Sequence, residues 1–404
     1  MKRTTCSSCG YDDLKLFLDL GLSPIADAYT DTVEQTAETY PLQLAVCTGC
    51  RLVQLLEVVD KDILFGTGYS FYSSASPPLS RYHHAYAKDV INNIKNVTSP
   101  FVVEIGCNDG DMLRHFRNAG IRSLGVDPSG GPVKMARESR YLDVLNVAFD
   151  ESIGHQIKEE RGLVDVAIAN HVLAHVEDVS SVLAGIAAML APDGVAMIEV
   201  QYLPDLLVNN AFDLVYHEHR NFFSLSSLEK AAQRHGLYAV DVELTDRQGG
   251  SLRATLSKTR RPNPAVDRVR ASESWLSKFN AYDGFQGRAD RIRDRLRHLV
   301  LSRVEEGKRV AGYGAPAKAT TLLNFCGLDR NSISHVVDST KAKQGRFVPG
   351  TGIPIVAPNT SNGHVDAYLL LAHNYARTIL GNNWQFSAYS NGEWILPIPA
   401  PFVI

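Results

Sequence analysis

The sequence predicts an α/β protein in three blocks: a small cysteine-ligated metal module, then two domains with parallel sheets. Three observations predict this. Two C-x-x-C pairs, Cys6/Cys9 and Cys47/Cys50, stand near the N-terminus. A rhythm of buried strand, glycine-rich turn and helix begins at Phe101-Val-Val-Glu-Ile105, and it restarts at Arg309-Val-Ala-Gly-Tyr-Gly314. Such alternation implies a parallel sheet with helices on both faces. A chain of 404 residues also exceeds what one compact core serves.

Composition narrows the function. Apolar residues make up 45% and charged residues 21%, with a net charge of −3. This ordinary globular balance gives no electrostatic reason for a nucleic-acid or anionic-membrane partner. No apolar run approaches the roughly 18 residues that a membrane span needs. Met-Lys-Arg-Thr-Thr-Cys6 has no apolar run behind its basic residues, so no secretory leader is expected. A cytoplasmic enzyme is the expectation, as a monomer or small homo-oligomer.

The first block spans residues 1–80 and closes with the Tyr/Ser/Pro-rich stretch Gly68–Ser80, which reads as a loop. A C-x-x-C turn aims two thiolates at one point, and two such turns complete the tetrahedron that Zn²⁺ accepts. Cys6, Cys9, Cys47 and Cys50 are therefore predicted ligands of a closed, structural zinc site. The sequence between the pairs must form its own small substructure. Unrelated thiols are the alternative. A thioredoxin-like redox pair is disfavoured because neither pair opens a βαβ helix.

The second block spans residues 81–260. Its predicted strands are Phe101–Ile105, Leu124–Val126, Val164–Ile168 and Val195–Val200, followed by an antiparallel pair, Leu237–Leu244 and Ser251–Ser257. Glu104-Ile-Gly106-Cys-Asn108-Asp-Gly110 lies between strand and helix, where glycines permit a tight turn and close approach of a ligand to main-chain amides. Asp127-Pro128 ends the next strand, placed to accept hydrogen bonds from ribose hydroxyls. The pattern is neither G-x-G-x-x-G nor a P-loop. This spacing resembles the first two motifs of class I S-adenosylmethionine methyltransferases, a Rossmann-like fold. Asp165–His175, with Asn170 and His171, looks like their fourth strand and its loop. Leu190-Ala-Pro-Asp-Gly194 looks like the turn before their fifth. Glycines serving helix packing alone are the structural alternative.

Asp213-Leu-Val-Tyr216-His217-Glu218-His219 is the most reactive run in the chain. A histidine beside a carboxylate can have its tautomer fixed, and a tyrosine supplies a donor for a developing oxyanion. Exposed polar residues at a helix start are the alternative. His171 and His175, four apart, would share a face if they lay on a helix.

The third block spans residues 261–404. Its charged opening, Val266–Glu306, reads as a solvated helix pair, and Ile333–Val337 and Ala367–Leu371 read as strands. Gly312-Tyr313-Gly314-Ala-Pro316-Ala317-Lys318 is a G-x-G-x-x-A turn with a trailing acid, Asp338. NAD binding is one reading of it, although Pro316 removes an amide donor from the turn.

Nearly the whole chain resembles the sugar C-methyltransferases that act on nucleotide-linked 4-keto-deoxysugars, especially the 3-C-methyltransferases of antibiotic sugar pathways. The residues that carry the likeness are the cysteine pairs, Gly68-Tyr-Ser-Phe-Tyr-Ser-Ser74, Glu-Ile-Gly-Cys-Asn-Asp-Gly110, Val-Leu-Ala-His175, Tyr-His-Glu-His219, Gly-Gly-Ser-Leu-Arg253 and Gly-Tyr-Gly-Ala-Pro-Ala-Lys318. The resemblance implies S-adenosylmethionine held by Glu104, Gly106, Asn108, Gly110, Asp127, Pro128, Asn170 and His171. It implies His219 as the base that removes the C-3 proton, with Glu218 orienting it or shuttling protons. Tyr216 and Tyr69 or Tyr72 would steady the enolate, and His175 would line the sugar pocket. Tyr313, Lys318 and Asn324 of the C-terminal block would help hold the nucleotide of an NDP-sugar, with a dTDP-linked sugar the expectation. Two positions depart from the family pattern: His171 stands where asparagine is common, and Gln248 where histidine is. An O- or N-methyltransferase on another small metabolite is the alternative activity, and a non-catalytic sensor of S-adenosylmethionine is a third reading.

Overall fold

A computed structural model describes residues 2–60, 63–64, 72–259, 261–358 and 363–404. Within them the strands form three sheets. The first strands are β1 (Leu14–Pro24), β2 (Thr39–Cys47) and β3 (Val53–Leu55). β1 and β2 are the substructure predicted between the cysteine pairs, an antiparallel ladder from Leu14↔Cys47 to Pro24↔Thr39.

The central domain has β4 (Phe101–Ile105), β5 (Arg122–Val126), β6 (Val144–Leu145), β7 (Val164–Asn170) and β8 (Leu190–Gln201). A short β9 (Asn221–Phe222) leaves this domain and pairs with β3, so the first sheet runs β1-β2-β3-β9. β10 (Tyr238–Thr245) and β11 (Ser251–Ser257) complete the central sheet in the order β10-β11-β8-β7-β4-β5-β6. β4 to β8 are parallel and β11 is antiparallel to both its neighbours. The C-terminal sheet contains β12 (Val310–Tyr313), β13 (Val336–Val337), β14 (Ile355–Val356), β15 (Ala367–Leu370), β16 (Glu393–Leu396) and β17 (Phe402–Val403). Its order is β14-β13-β12-β15-β16-β17, parallel except for β17. Both α/β sheets thus place their glycine-rich turns at the carboxyl ends of central strands, where such folds bind ligands.

Three expectations change. Within Gly68–Ser80, helix Pro77–Ile94 already begins at Pro77, because proline suits the first helical turn; it runs across the 80/81 boundary. Leu190–Gly194 falls within β8, where the register slips between Val164↔Leu190 and Val166↔Val195, so the predicted turn is a bulge in the strand. Helix Phe285–Glu305 is not simply solvated: Phe285, Ala289, Ile292, Leu296 and Val300 form one buried stripe at spacings of three and four. That stripe joins a core containing Leu18 and Leu44 of the first sheet and Val310 and Ile355 of the third. The cysteine turns pack into the opposite core, with β4, β7 and β8. The N-terminal module is therefore wedged between the two larger domains, and each face buries apolar area that a block of its size lacks alone.

Candidate active site and metal centre

The four cysteines converge. Sγ of Cys6 lies 3.5 Å from that of Cys50, and Sγ of Cys9 lies 3.5 Å from that of Cys47. All four ligand atoms lie within 4.8 Å of one another, and three of the four residues are buried. Sulfurs on a tetrahedral zinc, at about 2.3 Å from the ion, stand about 3.8 Å apart, so the set fits Zn²⁺ and leaves no open position.

The cofactor turn follows β4. Gly106 has φ +72° and a side chain there would strike Val172; Gly110 has φ +72° and a side chain would strike Leu142. Both glycines are thus required by backbone and packing. Asn108, also at positive φ (51°), donates its amide to Oδ2 of Asp127 at 2.8 Å. Ser129, the residue after the exposed Pro128, donates its amide to Oδ1 of Asp127 at 2.8 Å. These bonds hold the Asp127 carboxylate at the strand end.

The acceptors of this site are short of donors. Oε2 of Glu104 and Oδ1 of Asn170 are buried and find no hydrogen-bond partner among the described residues. Burial, with Asp111, Asp127 and Asp109 nearby, pushes the Glu104 carboxyl well above its usual range. A buried acidic pocket with unused acceptors is what a ligand carrying an ammonium and a sulfonium would satisfy. Ser73 donates its amide to Oδ1 of Asn108 at 2.9 Å, bringing the 72–76 segment over the turn. A methyl group on Gly131 would come within 2.9 Å of the Tyr72 hydroxyl. The Tyr72 hydroxyl therefore lies beside Gly131, four residues after Asp127. Tyr69 lies outside the described residues.

His171 and His175 do not lie on a helix. His171 has φ +55° in the turn after β7, and its Nε2 lies 3.2 Å from Oε1 of Glu199. Glu199 also accepts from Arg253 at 3.1 Å and contacts the Tyr82 hydroxyl. Its burial opposes ionisation, but the hydrogen bonds from His171 and Tyr82 and the charge of Arg253 hold its pKa at about 2.

The loop from Val172 to His175 links cofactor and base. Val172 packs under Gly106, and the His175 ring centroid lies 5.2 Å from that of His219. His175 donates from Nδ1 to the Glu218 carbonyl at 2.6 Å, and burial lowers its pKa to about 4. His219 is buried; its Nδ1 lies 2.9 Å from the Leu214 carbonyl and its Nε2 lies 2.8 Å from the Tyr216 hydroxyl. A carbonyl only accepts, so Nδ1 carries the proton and Nε2 presents its lone pair to the tyrosine O–H. Burial, with His175 beside it, keeps His219 well below the ordinary imidazole range, hence neutral. The Leu214 carbonyl, not the Glu218 carboxylate, sets this tautomer. Glu218 is buried, which raises its pKa to about 8, and its Oε2 has no partner among the described residues. The run is thus a buried turn, not exposed polar residues at a helix start.

Several residues were missed from sequence. Asn221 is fully buried: Oδ1 accepts from Ser7 of the first cysteine turn at 2.8 Å, and Nδ2 donates to the carbonyls of Leu173 at 3.0 Å and Val176 at 2.8 Å. It ties the metal centre to the loop that carries His175. Its only sequence signal is its place two residues after His219. In the C-terminal domain, Nζ of Lys318 is buried 2.9 Å from Nε2 of His373, which lies 2.6 Å from Oδ2 of Asp213. The amide of Asn324 is committed to the carbonyls of Thr320 (2.8 Å) and Pro349 (3.0 Å). The Tyr313 hydroxyl donates to Asn383 at 3.3 Å, and its ring packs at 5.3 Å from Trp394.

Family models match the chain in three consecutive parts: a zinc binding domain over residues 6–65, a methyltransferase domain over 79–242 and a C-methyltransferase C-terminal domain over 246–399. The chain is 38% identical over 407 residues to C-methyltransferase NovU of Streptomyces niveus, covering 99% of this chain and 96% of that protein. It is 28% identical over 98 residues to a ubiquinone biosynthesis O-methyltransferase of Rhodopseudomonas palustris, covering 24% of this chain and 38% of that one. Among solved structures, magnesium protoporphyrin IX methyltransferase from Synechocystis PCC 6803 aligns at TM-score 0.36 and 17% identity, over 48% of this chain and 91% of that one. At that score the likeness carries no weight.

Cys47→Ser is expected to lose bound zinc and to lower the melting temperature, because ligand binding and folding of the module are one equilibrium; metal analysis and calorimetry check both. A cationic ligand should drive Glu104 to ionise, so S-adenosylmethionine binding should release a proton. Calorimetry in buffers of different ionisation enthalpy measures this, and Glu104→Gln should abolish the release and weaken binding by roughly tenfold.

Proposed function

The chain belongs to the C-methyltransferase family and is an S-adenosylmethionine-dependent methyltransferase, and on that premise we propose that it methylates C-3 of a nucleotide-linked 4-keto-deoxysugar through an enolate formed by His219. The observation that carries this reading is the neutral, buried His219, with Nδ1–H engaged and Nε2 available to the Tyr216 hydroxyl, one short loop from the cofactor turn. The cofactor, when bound, supplies an electrophilic methyl on a sulfonium. The acceptor carbon is then the inert partner, so the protein must generate and stabilise a carbanion.

A C-4 carbonyl makes the C-3 hydrogen acidic. Nε2 of His219 takes that proton, and the Tyr216 O–H turns from Nε2 to the enolate oxygen. Held by the turn of Gly106, Asn108 and Asp127, S-adenosylmethionine would supply the methyl to the enolate carbon, its sulfur leaving as a neutral thioether. Neutral His219 and a Glu218 held protonated near neutrality are pushed apart in pKa by burial, the pattern of a base paired with a proton donor. His175 lines the sugar side. The NDP group, dTDP in the simplest case, lies along the Gly312–Lys318 turn of the C-terminal domain, whose shape is held from beneath by the committed side chains of Tyr313, Lys318 and Asn324. A helix opening after such a turn favours phosphate. O- or N-methylation would need no carbon-acid base, and solvent deuterium washing into the ketosugar separates the two.

His219→Ala should leave S-adenosylmethionine affinity near normal while turnover on dTDP-4-keto-6-deoxyglucose falls by roughly 10²-fold or more, the scale of a general base. Near-normal turnover removes His219 from the role. The acid limb of kcat should lie well below the ordinary imidazole range, because protonation of His219 is disfavoured. Its basic limb should fall near the Glu218 pKa of about 8. Glu218→Gln, which cannot give up a proton, should lower kcat near neutrality and lose that basic limb.

A further inference from the structure

We infer that helix Ala317–Cys326 of the C-terminal domain is a positioning device for the base: Lys318, Thr321 and Phe325, with His373, grip the turn Phe212–Val215, whose Leu214 carbonyl holds the His219 imidazole. This rests on His219 being the base. The three helix residues are three and four apart and share one face. Each engages a different part of the turn. The Phe325 ring packs edge-on at 5.2 Å from Phe212. Lys318 lies 3.8 Å from Oδ2 of Asp213, and His373 lies 2.6 Å from the same oxygen. Thr321 donates its hydroxyl to the Val215 carbonyl at 2.8 Å. Leu214, whose carbonyl lies 2.9 Å from Nδ1 of His219, stands between the last two grips.

Apolar docking alone would need only Phe212. Instead, Phe212 is held by ring packing, Asp213 by two nitrogen bases and Val215 by a main-chain hydrogen bond, with Asp213 0% exposed, Thr321 1% and Lys318 5%, and with Phe325 and His373 half-buried. Together they fix the rotation of the turn and hence the direction of the Leu214 carbonyl. That direction decides which imidazole nitrogen carries the proton. The face of the helix that grips the turn also begins where the Gly312–Lys318 turn ends, so the C-terminal domain sets the base as well as offering a ligand turn.

Thr321→Val keeps shape and removes one grip; His373→Gln removes another. Both should lower kcat on dTDP-4-keto-6-deoxyglucose by roughly tenfold with the KM for S-adenosylmethionine unchanged, the expected cost of misplacing a catalytic group. Deuterium wash-in without methyl donor should slow by the same factor. In ¹⁵N-histidine spectra, His219 should change from a single Nδ1–H tautomer to a mixture. A lowered melting temperature with unchanged kcat, wash-in and tautomer at 10 °C makes the helix a packing surface and overturns the inference. His219→Ala is the control: wash-in that survives in it defeats the base assignment, and the Thr321→Val tautomer then decides whether the grip orients the ring.

Discussion

The hydrogen bond from Nδ1–H of His219 to the Leu214 carbonyl, 2.9 Å long, is the contact on which the proposed chemistry depends. A free imidazole exchanges tautomers and protonates near pH 6.5. Here the ring is buried, neutral and of one tautomer, so its lone pair points one way. The condition for this is that residues 212–222 be held firmly at both ends. The C-terminal domain holds the early part through Asp213 and Val215. The N-terminal module holds the late part: Arg220 donates to the Val59 carbonyl at 2.6 Å, and β9 pairs with β3. Neither grip belongs to the domain that carries the cofactor turn.

The N-terminal metal module thus bears directly on the run that carries His219. The cysteine turns are far too small to fold by apolar burial alone, and the zinc supplies what their core lacks. Through Ser7 and Asn221 the first turn also reaches the loop of His175. The metal is structural in its closed ligand set, yet the element it stabilises is one hydrogen-bonded residue away from the reactive side chains.

Electrostatics divide the site into two halves. The half around Glu104 is acidic, with buried acceptors on Glu104 and Asn170 that find no donor among the described residues. The base half is neutral: two imidazoles that burial keeps unprotonated, and a Glu218 carboxyl whose pKa is raised to about 8. Glu199 lies between, held ionised by His171, Tyr82 and Arg253. His171, a departure from the family pattern, thus has its imidazole tied to this carboxylate, which narrows its freedom to touch a ligand.

What the sequence determined by itself is what local spacing encodes. Paired C-x-x-C turns, a strand followed by Glu-x-Gly-x-x-x-Gly, and an acid at the next strand end state their geometry over a few residues. The cysteine cluster, the glycine turn after β4 and the two parallel sheets were legible for that reason. The partners of each reactive side chain were not, because they are far apart in the chain and chemically unremarkable: a leucine carbonyl, a serine of the cysteine turn, His373 and Thr321. Tertiary structure alone decided that the His219 ring nitrogens meet the Leu214 carbonyl and the Tyr216 hydroxyl, that the Tyr72 hydroxyl lies beside Gly131, and that Lys318 meets a carboxylate from the central domain. Tautomer and protonation state depend on burial and on main-chain carbonyl direction, and neither is written in any short stretch of residues.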